Sequence, residues 1–369
     1  MSLIRPTTGT GGGDEGVPRG GGEHGAVAAP AGTARHAALR ARPRGGVVRA
    51  VAVLVLVTAA ALIPLFGPRA ALDGTGEAET PGAGGIALLR TVLFAALCVP
   101  AGELFVARLV RRVPGAPTGA PRSWAPHAAA AGFLAALGLA SVVATGNLVP
   151  AGVGDIDVGG LYETRDGVLA LLEVNAFAAA GLCALFGRPA AQVWPLAAIA
   201  VAEALRAHPT TEHGPLVGSA LTLVHVACAA LWVGGLLYVL RTLRHWRGTR
   251  AEPLSQAEGS GAALLGLYAR VAAVLLAALT ATGVCSTLRR MPPETVLEQS
   301  TTTAYGRVLL AKLLLMVVVA ALALVARLRL SRASDPLTAC TPARAEVVVL
   351  GVVVAVSALL TAVPVPIRW

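Results

Sequence analysis

Charge is scarce in this 369-residue chain: Asp, Glu, Lys and Arg make up 14% of it, against about a quarter in a soluble domain. That scarcity excludes a cytosolic enzyme, a secreted disulfide scaffold and a disordered regulator. Lysine is nearly absent, with Lys312 the only one. Aromatics are 4% of the chain, so few Trp or Tyr can mark an interface. The five cysteines form no CxxC pair: Cys98, Cys183, Cys228 and Cys285 lie in or at the end of apolar runs, and Cys340 in a basic loop. That spacing counts against a disulfide framework and a structural zinc site. Only Met291 and Met316 follow the initiator methionine, which counts against a methionine-lined Cu(I) conduit.

What is present is apolar residue in long runs. The AVILMFWYC set is 55% of the chain and the mean hydropathy is +0.70. A helix needs about 20 apolar residues to cross about 30 Å of hydrocarbon. That length predicts nine spans, at 47–66, 86–107, 125–145, 168–186, 190–205, 216–240, 262–284, 308–325 and 346–363. The strand alternation of a closed barrel is absent. The expected fold is an all-α polytopic transmembrane bundle of about nine spans. Ahead of it, residues 1–46 are rich in Gly, Pro and Arg and read as a disordered cytoplasmic tail. A cleaved signal peptide is the competing reading of the first run.

The net charge of +10 would suggest nucleic acid in a soluble protein. Here the arginines cluster between apolar runs: Arg108, Arg111, Arg112 and Arg122, then Arg241, Arg244, Arg247 and Arg250, then Arg327, Arg329, Arg332 and Arg344. Alternate connections carry acids, among them Asp73, Glu77, Glu79, Asp155, Asp157 and Glu163. This is the positive-inside pattern, and it holds only if all nine spans exist. It predicts a cytoplasmic N-terminus and an external C-terminus. Nucleic acid is not an expected partner; membrane lipid is.

Ionisable groups within hydrocarbon cost about 2.5–3.5 kcal/mol each on insertion scales, so those retained point to function. Glu173 and Asn175 fall in the fourth span, Glu203 in the fifth, His225 in the sixth and Lys312 in the eighth. All lie in the outer half or near the midplane, with His208 and His213 in the external turn between spans five and six. An outward-facing polar cavity would collect all seven. Imidazole suits Cu(II), Zn or Ni, and the thiol of Cys228, at i+3 from His225 on one helix face, would favour Cu(I). Each group has a plainer reading. Turn histidines are often merely polar, His225 can be satisfied by a bond between helices, and Cys228 can be a small buried residue. Lys312 could pair with Glu173 or Glu203, or gate an ion. Glu103 and Arg270 sit near cytoplasmic ends and can snorkel to the headgroups. Trp232 could line a path or pack.

Leu223-Val-His-Val-Ala-Cys-Ala-Ala-Leu-Trp-Val-Gly-Gly-Leu-Leu237, holding Trp232, Gly234 and Gly235, resembles a helix of the CopD family of copper-resistance membrane proteins. Tyr268-Ala-Arg-Val-Ala, Thr280-Ala-Thr-Gly283 and Thr303-Ala-Tyr-Gly-Arg-Val-Leu-Leu-Ala-Lys312, with Tyr305 and Gly306, are similar to the rest of that domain in the same order. The resemblance covers about residues 215–330. It divides the chain into the tail 1–46, N-terminal helices 47–207 and C-terminal helices 208–363 that contain the CopD-like domain. It implies copper ion as cargo, uptake across the bacterial cytoplasmic (inner) membrane, and a CopC-like extracytoplasmic carrier as a separate partner. Many members carry Gly-His-Ala in the upstream turn; here that place reads Ala207-His-Pro-Thr-Thr-Glu-His-Gly214. The candidate metal ligands are thus His208, His213, His225 and Cys228. Glu173, Asn175, Glu203 and Lys312 would line a path or form ion pairs. The alternative reading is a di-haem, cytochrome-b-like redox protein, which needs axial histidine pairs on facing helices. No nucleophile–base pair, phosphate loop or dinucleotide motif suggests an enzyme.

Overall fold

The computed structural model describes residues 44–364 except 151, 211–213, 249–253, 292 and 333–339. Among the described residues there is no strand. Nine helices carry the architecture: α1 Arg44–Leu72, α2 Ala83–Val110, α3 Ala125–Ala144, α4 Arg165–Leu185, α5 Val193–Arg206, α6 Pro215–Gly248, α7 Leu254–Arg290, α8 Ala304–Arg332 and α9 Cys340–Leu360. Each falls on one of the nine apolar runs. Backbone N–H and C=O groups must be satisfied within the segment where no water can reach, so a run of this length in lipid has no alternative to the helix.

Seven of them, α2, α3, α4 and α6 to α9, are long and apolar enough to cross a membrane. The other two are α1, whose described apolar part is the shorter Thr58–Leu72, and α5. The 14 residues of α5 rise about 21 Å, short of a full hydrocarbon thickness. A 3₁₀ turn at Pro189–Gln192 precedes it, and the Gln192 side chain donates to the Ala180 carbonyl of α4 at 3.1 Å. The short helix is thereby seated against α4 and begins level with Ala180, before the last turn of its neighbour.

The alternation of direction survives that short helix. At one end, here called upper, Arg165 donates to the Leu205 carbonyl at 2.8 Å, Arg289 to the Gly214 carbonyl at 3.1 Å, and the Ala304 N–H to Glu77 at 3.0 Å. At the lower end the Trp246 indole donates to the Gly119 carbonyl and the Ser260 hydroxyl to the Gly115 carbonyl, both at 3.0 Å. The connections after α1, α5 and α7 therefore share one end, and those after α2 and α6 the other.

Small residues set the closest approaches. A Cβ added at Gly234 of α6 would collide with the Cys98 carbonyl of α2, and one added at Gly102 with the Gly234 backbone. These two helices touch backbone to backbone, as small residues permit in membrane bundles. Gly132 of α3 makes the same room for the Phe177 ring of α4. One apolar cluster centres on Trp232, Leu236, Val239, Leu264 and Val319 from α6, α7 and α8. A second joins α2, α3, α4 and α5 around Leu93, Phe177 and Ile199. α9 packs against α8, α2 and α6.

Candidate functional site

The polar groups inside the helices gather into two clusters in the upper half. The first joins α2, α4 and α5. Glu173 is fully buried, and its Oε2 lies 2.9 Å from Arg206 Nη2. Arg206 also reaches Glu203 Oε1 at 3.2 Å, and Arg90 Nη1 stands 3.4 Å from Glu203 Oε2. Two carboxylates and two guanidinium groups balance in formal charge. Arg206 and Glu203 are one turn apart on α5, which positions the cation between the acids.

Lys312 therefore does not pair with either acid, contrary to one reading of the sequence. Arg206 and Arg90 already occupy them, because Arg206 stands on the same helix as Glu203 and faces Glu173 directly. Asn175 does not join the cluster. Two residues past Glu173 it points to the other side of α4, where it is exposed and its amide donates to the Leu171 carbonyl at 2.7 Å.

The second cluster follows α6. His208, just below the turn after α5, is buried, and its Nε2 lies 2.9 Å from the Thr222 hydroxyl. A Cβ at Gly218 would overlap the imidazole, so that glycine makes the ring's seat. His225, one turn further along α6, places Nδ1 2.9 Å from the Thr282 hydroxyl of α7. Lys312 lies close enough to His225 for the two to interact electrostatically. It shares a face of α8 with buried Val308 and Val319. Cys228 is half-buried one turn below His225. His213 lies outside the described residues.

Among the described residues no three His, Cys, Asp or Glu side chains converge on one metal position. The two described histidine ligand candidates are each held by a threonine hydroxyl. Among the described residues no two histidines face each other across spans: His127 is exposed beside a cleft lined by Arg122 and Trp124.

Several polar partners were missed in the sequence. Arg90 was passed over within an apolar run, although a guanidinium there requires an acid. Glu103 does not snorkel freely: it pairs with Arg241 at 3.2 Å and accepts the Trp124 N–H at 2.7 Å, tying α2, α3 and α6 at the lower end. Arg241 also stacks 3.6 Å over the Trp124 ring. Glu346, buried on α9, was read only as the edge of a span.

The motif residues pack. Trp232 is 2% exposed and its carbonyl accepts the Tyr268 hydroxyl at 2.7 Å. Gly235 lies against the Tyr268 ring. Tyr305 is buried with the Arg290 guanidinium 5.9 Å from its ring, and Gly306 abuts the Gln299 backbone.

Residues 262–360 match the family model CopD, copper resistance protein D. The C-terminal part of the chain carries a CopD domain. No curated protein and no solved structure matches the chain. The CopD segment spans most of α7, all of α8 and all of α9. It starts and ends later than the 215–330 stretch that the motifs suggested. Tyr268, Thr282, Tyr305, Gly306, Lys312 and Glu346 are inside it; His225, Trp232, Gly234 and Gly235 lie on α6, against which α7 packs. In general terms the domain connects this multi-helix membrane protein with copper handling and resistance.

Proposed function

We propose that the protein carries copper ion inward across the bacterial cytoplasmic membrane and so serves copper homeostasis. In this reading the upper end faces outside, the N-terminus is cytoplasmic and the C-terminus external. Copper arrives from a separate CopC-like carrier, meets the imidazoles of the upper half, and moves along α6. The observation that carries the reading is the junction of His225 on α6 with Thr282 and Lys312 of the CopD segment. A neutral imidazole is a copper ligand, and Thr282 fixes one ring nitrogen so that the other is free to coordinate. Lys312 supplies a positive charge near the imidazole, which raises the energy of a bound cation and favours its release. His208, and His213 in the turn, would receive the ion first. Glu173 and Glu203, neutralised by arginine, hold the helices around that entry.

The test is cellular copper content in cells making wild type, His225→Ala or no protein. Wild type should raise accumulation above the empty control, and His225→Ala should lose at least about ten-fold of that increment, the factor set by about 1.4 kcal/mol. Equal accumulation in all three would overturn the reading.

A further inference from the structure

The connection from α2 to α3 is pinned at the lower membrane boundary. α3 has 20 residues and rises about 30 Å, the thickness of the hydrocarbon core. Its first residue therefore marks the level where acyl chains give way to headgroups, while α2 runs on past that level to Val110. Glu103 of α2 fixes the connection there. It accepts the Trp124 N–H at 2.7 Å, the Ser123 hydroxyl, and Arg241 Nη1 of α6 at 3.2 Å. Arg241 in turn stacks 3.6 Å over the Trp124 ring and donates to the Arg122 carbonyl. Residues 122–124 are thus held from both α2 and α6.

Beside this anchor lies a cleft of about 560 Å³, lined by Val99, Arg122, Trp124, His127 and Ala128. Val99 stands one turn above Glu103 on α2, so the apolar lining reaches into the hydrocarbon while Arg122 and His127 stand at its edge. Both of these are exposed, and among the described residues neither side chain makes a hydrogen bond or an ion pair. The nearby acid, Glu103, is already engaged by three donors. Residues 104–128 contain four arginines and no acid. The cleft therefore offers a cationic rim without a counter-ion above an apolar floor.

We propose that this cleft binds one phospholipid with an anionic headgroup, its phosphate held by Arg122 and His127 and its first methylenes lying along Val99 and Ala128. A guanidinium pairs with phosphate oxygens bidentately, and an imidazole carries an N–H donor in either neutral tautomer. The Trp124 ring, fixed by Arg241, forms a wall at the depth where aromatic side chains favour the membrane interface. A choline headgroup would bring its ammonium toward the arginines, so an anionic lipid is preferred. The bound lipid braces the lower ends of α2 and α3. In the proposed orientation that end is cytoplasmic, where basic residues meet anionic lipid. The site is independent of the copper reading.

The experiment titrates the purified full chain in detergent with phosphatidylglycerol or phosphatidylcholine of matched acyl chains, and counts retained lipid by native mass spectrometry. Wild type should hold one phosphatidylglycerol about ten-fold more tightly than phosphatidylcholine. Arg122→Gln should lose about ten-fold in phosphatidylglycerol affinity, the worth of one charge-assisted hydrogen bond. His127→Ala should lose less, and Arg122→Lys should keep part of the binding. Arg112→Gln, also exposed but outside the cleft, should bind as wild type does. Inorganic phosphate added to the titration should leave the lipid in place. A wild type that holds both lipids equally refutes the site, and so does unchanged binding by Arg122→Gln. Equal weakening by Arg112→Gln and Arg122→Gln refutes it in favour of diffuse attraction to the basic connection. Displacement by inorganic phosphate refutes the lipid as occupant and makes the cleft a site for the free anion.

Discussion

Arg206 is the residue on which the upper cluster depends. Among the described residues it is the only cation within bonding distance of Glu173, and it shares Glu203 with the more distant Arg90. Removing one partner of a buried pair leaves the other charge uncompensated and costs about 3–5 kcal/mol. Arg206→Gln should therefore lower the midpoint of thermal unfolding in detergent far more than Glu173→Gln, which removes the acid and leaves Arg206 with Glu203. The double variant should recover part of the loss of Arg206→Gln. Unfolding followed by tryptophan fluorescence reads all three, and equal midpoints would show that the cluster is not a stability element. The sequence made the acids legible because ionisable groups in apolar runs stand out one by one. Their partners did not stand out. Arg90 and Glu203 are 113 positions apart, and which face of α2 meets α5 depends on packing that no local pattern encodes. The same limit hid Thr222 and Thr282, whose hydroxyls are unremarkable until an imidazole is set against them.

At the scale of the helix, the contact between α2 and α6 is the tightest. It has no room for a methyl group at Gly234, whereas Gly259 near the start of α7 has nothing nearby. Gly234→Ala should destabilise by about 1–3 kcal/mol, the usual cost of overpacking, and Gly259→Ala should be neutral or slightly stabilising through helix propensity. Paired melting curves of the two variants check this; equal midpoints would mean that α2 shifts freely away from α6. The helix positions themselves were readable from hydropathy, since a run of about 20 apolar residues leaves one structure available. Run and helix agree for α3, at 125–145 and Ala125–Ala144. They part at α6 and α7, which extend beyond the apolar windows to 34 and 37 residues. There the polar continuation stays helical because Trp246 and Ser260 anchor it to the α2–α3 connection.

For the whole molecule, the arrangement of ends makes the side of each connection testable. Thr80 lies after α1 and Thr118 after α2, both exposed. In a cysteine-free background, Thr80→Cys should react with a membrane-impermeant maleimide added outside, and Thr118→Cys only once the membrane is broken. The reverse pattern would invert the proposed orientation and the direction of entry with it. The proposed orientation rests on charge distribution, because arginine clusters at alternate breaks are read without knowing any contact. α8 shows what lies beyond the chain itself. Only 11% of its apolar window is covered by the rest of the protein, and Leu313, Leu314 and Val317 are more than half exposed. Acyl chains supply the rest of its packing. Extraction that strips these lipids will loosen α8 first, so the solubilising agent decides whether Lys312 stays beside His225 in a purified sample.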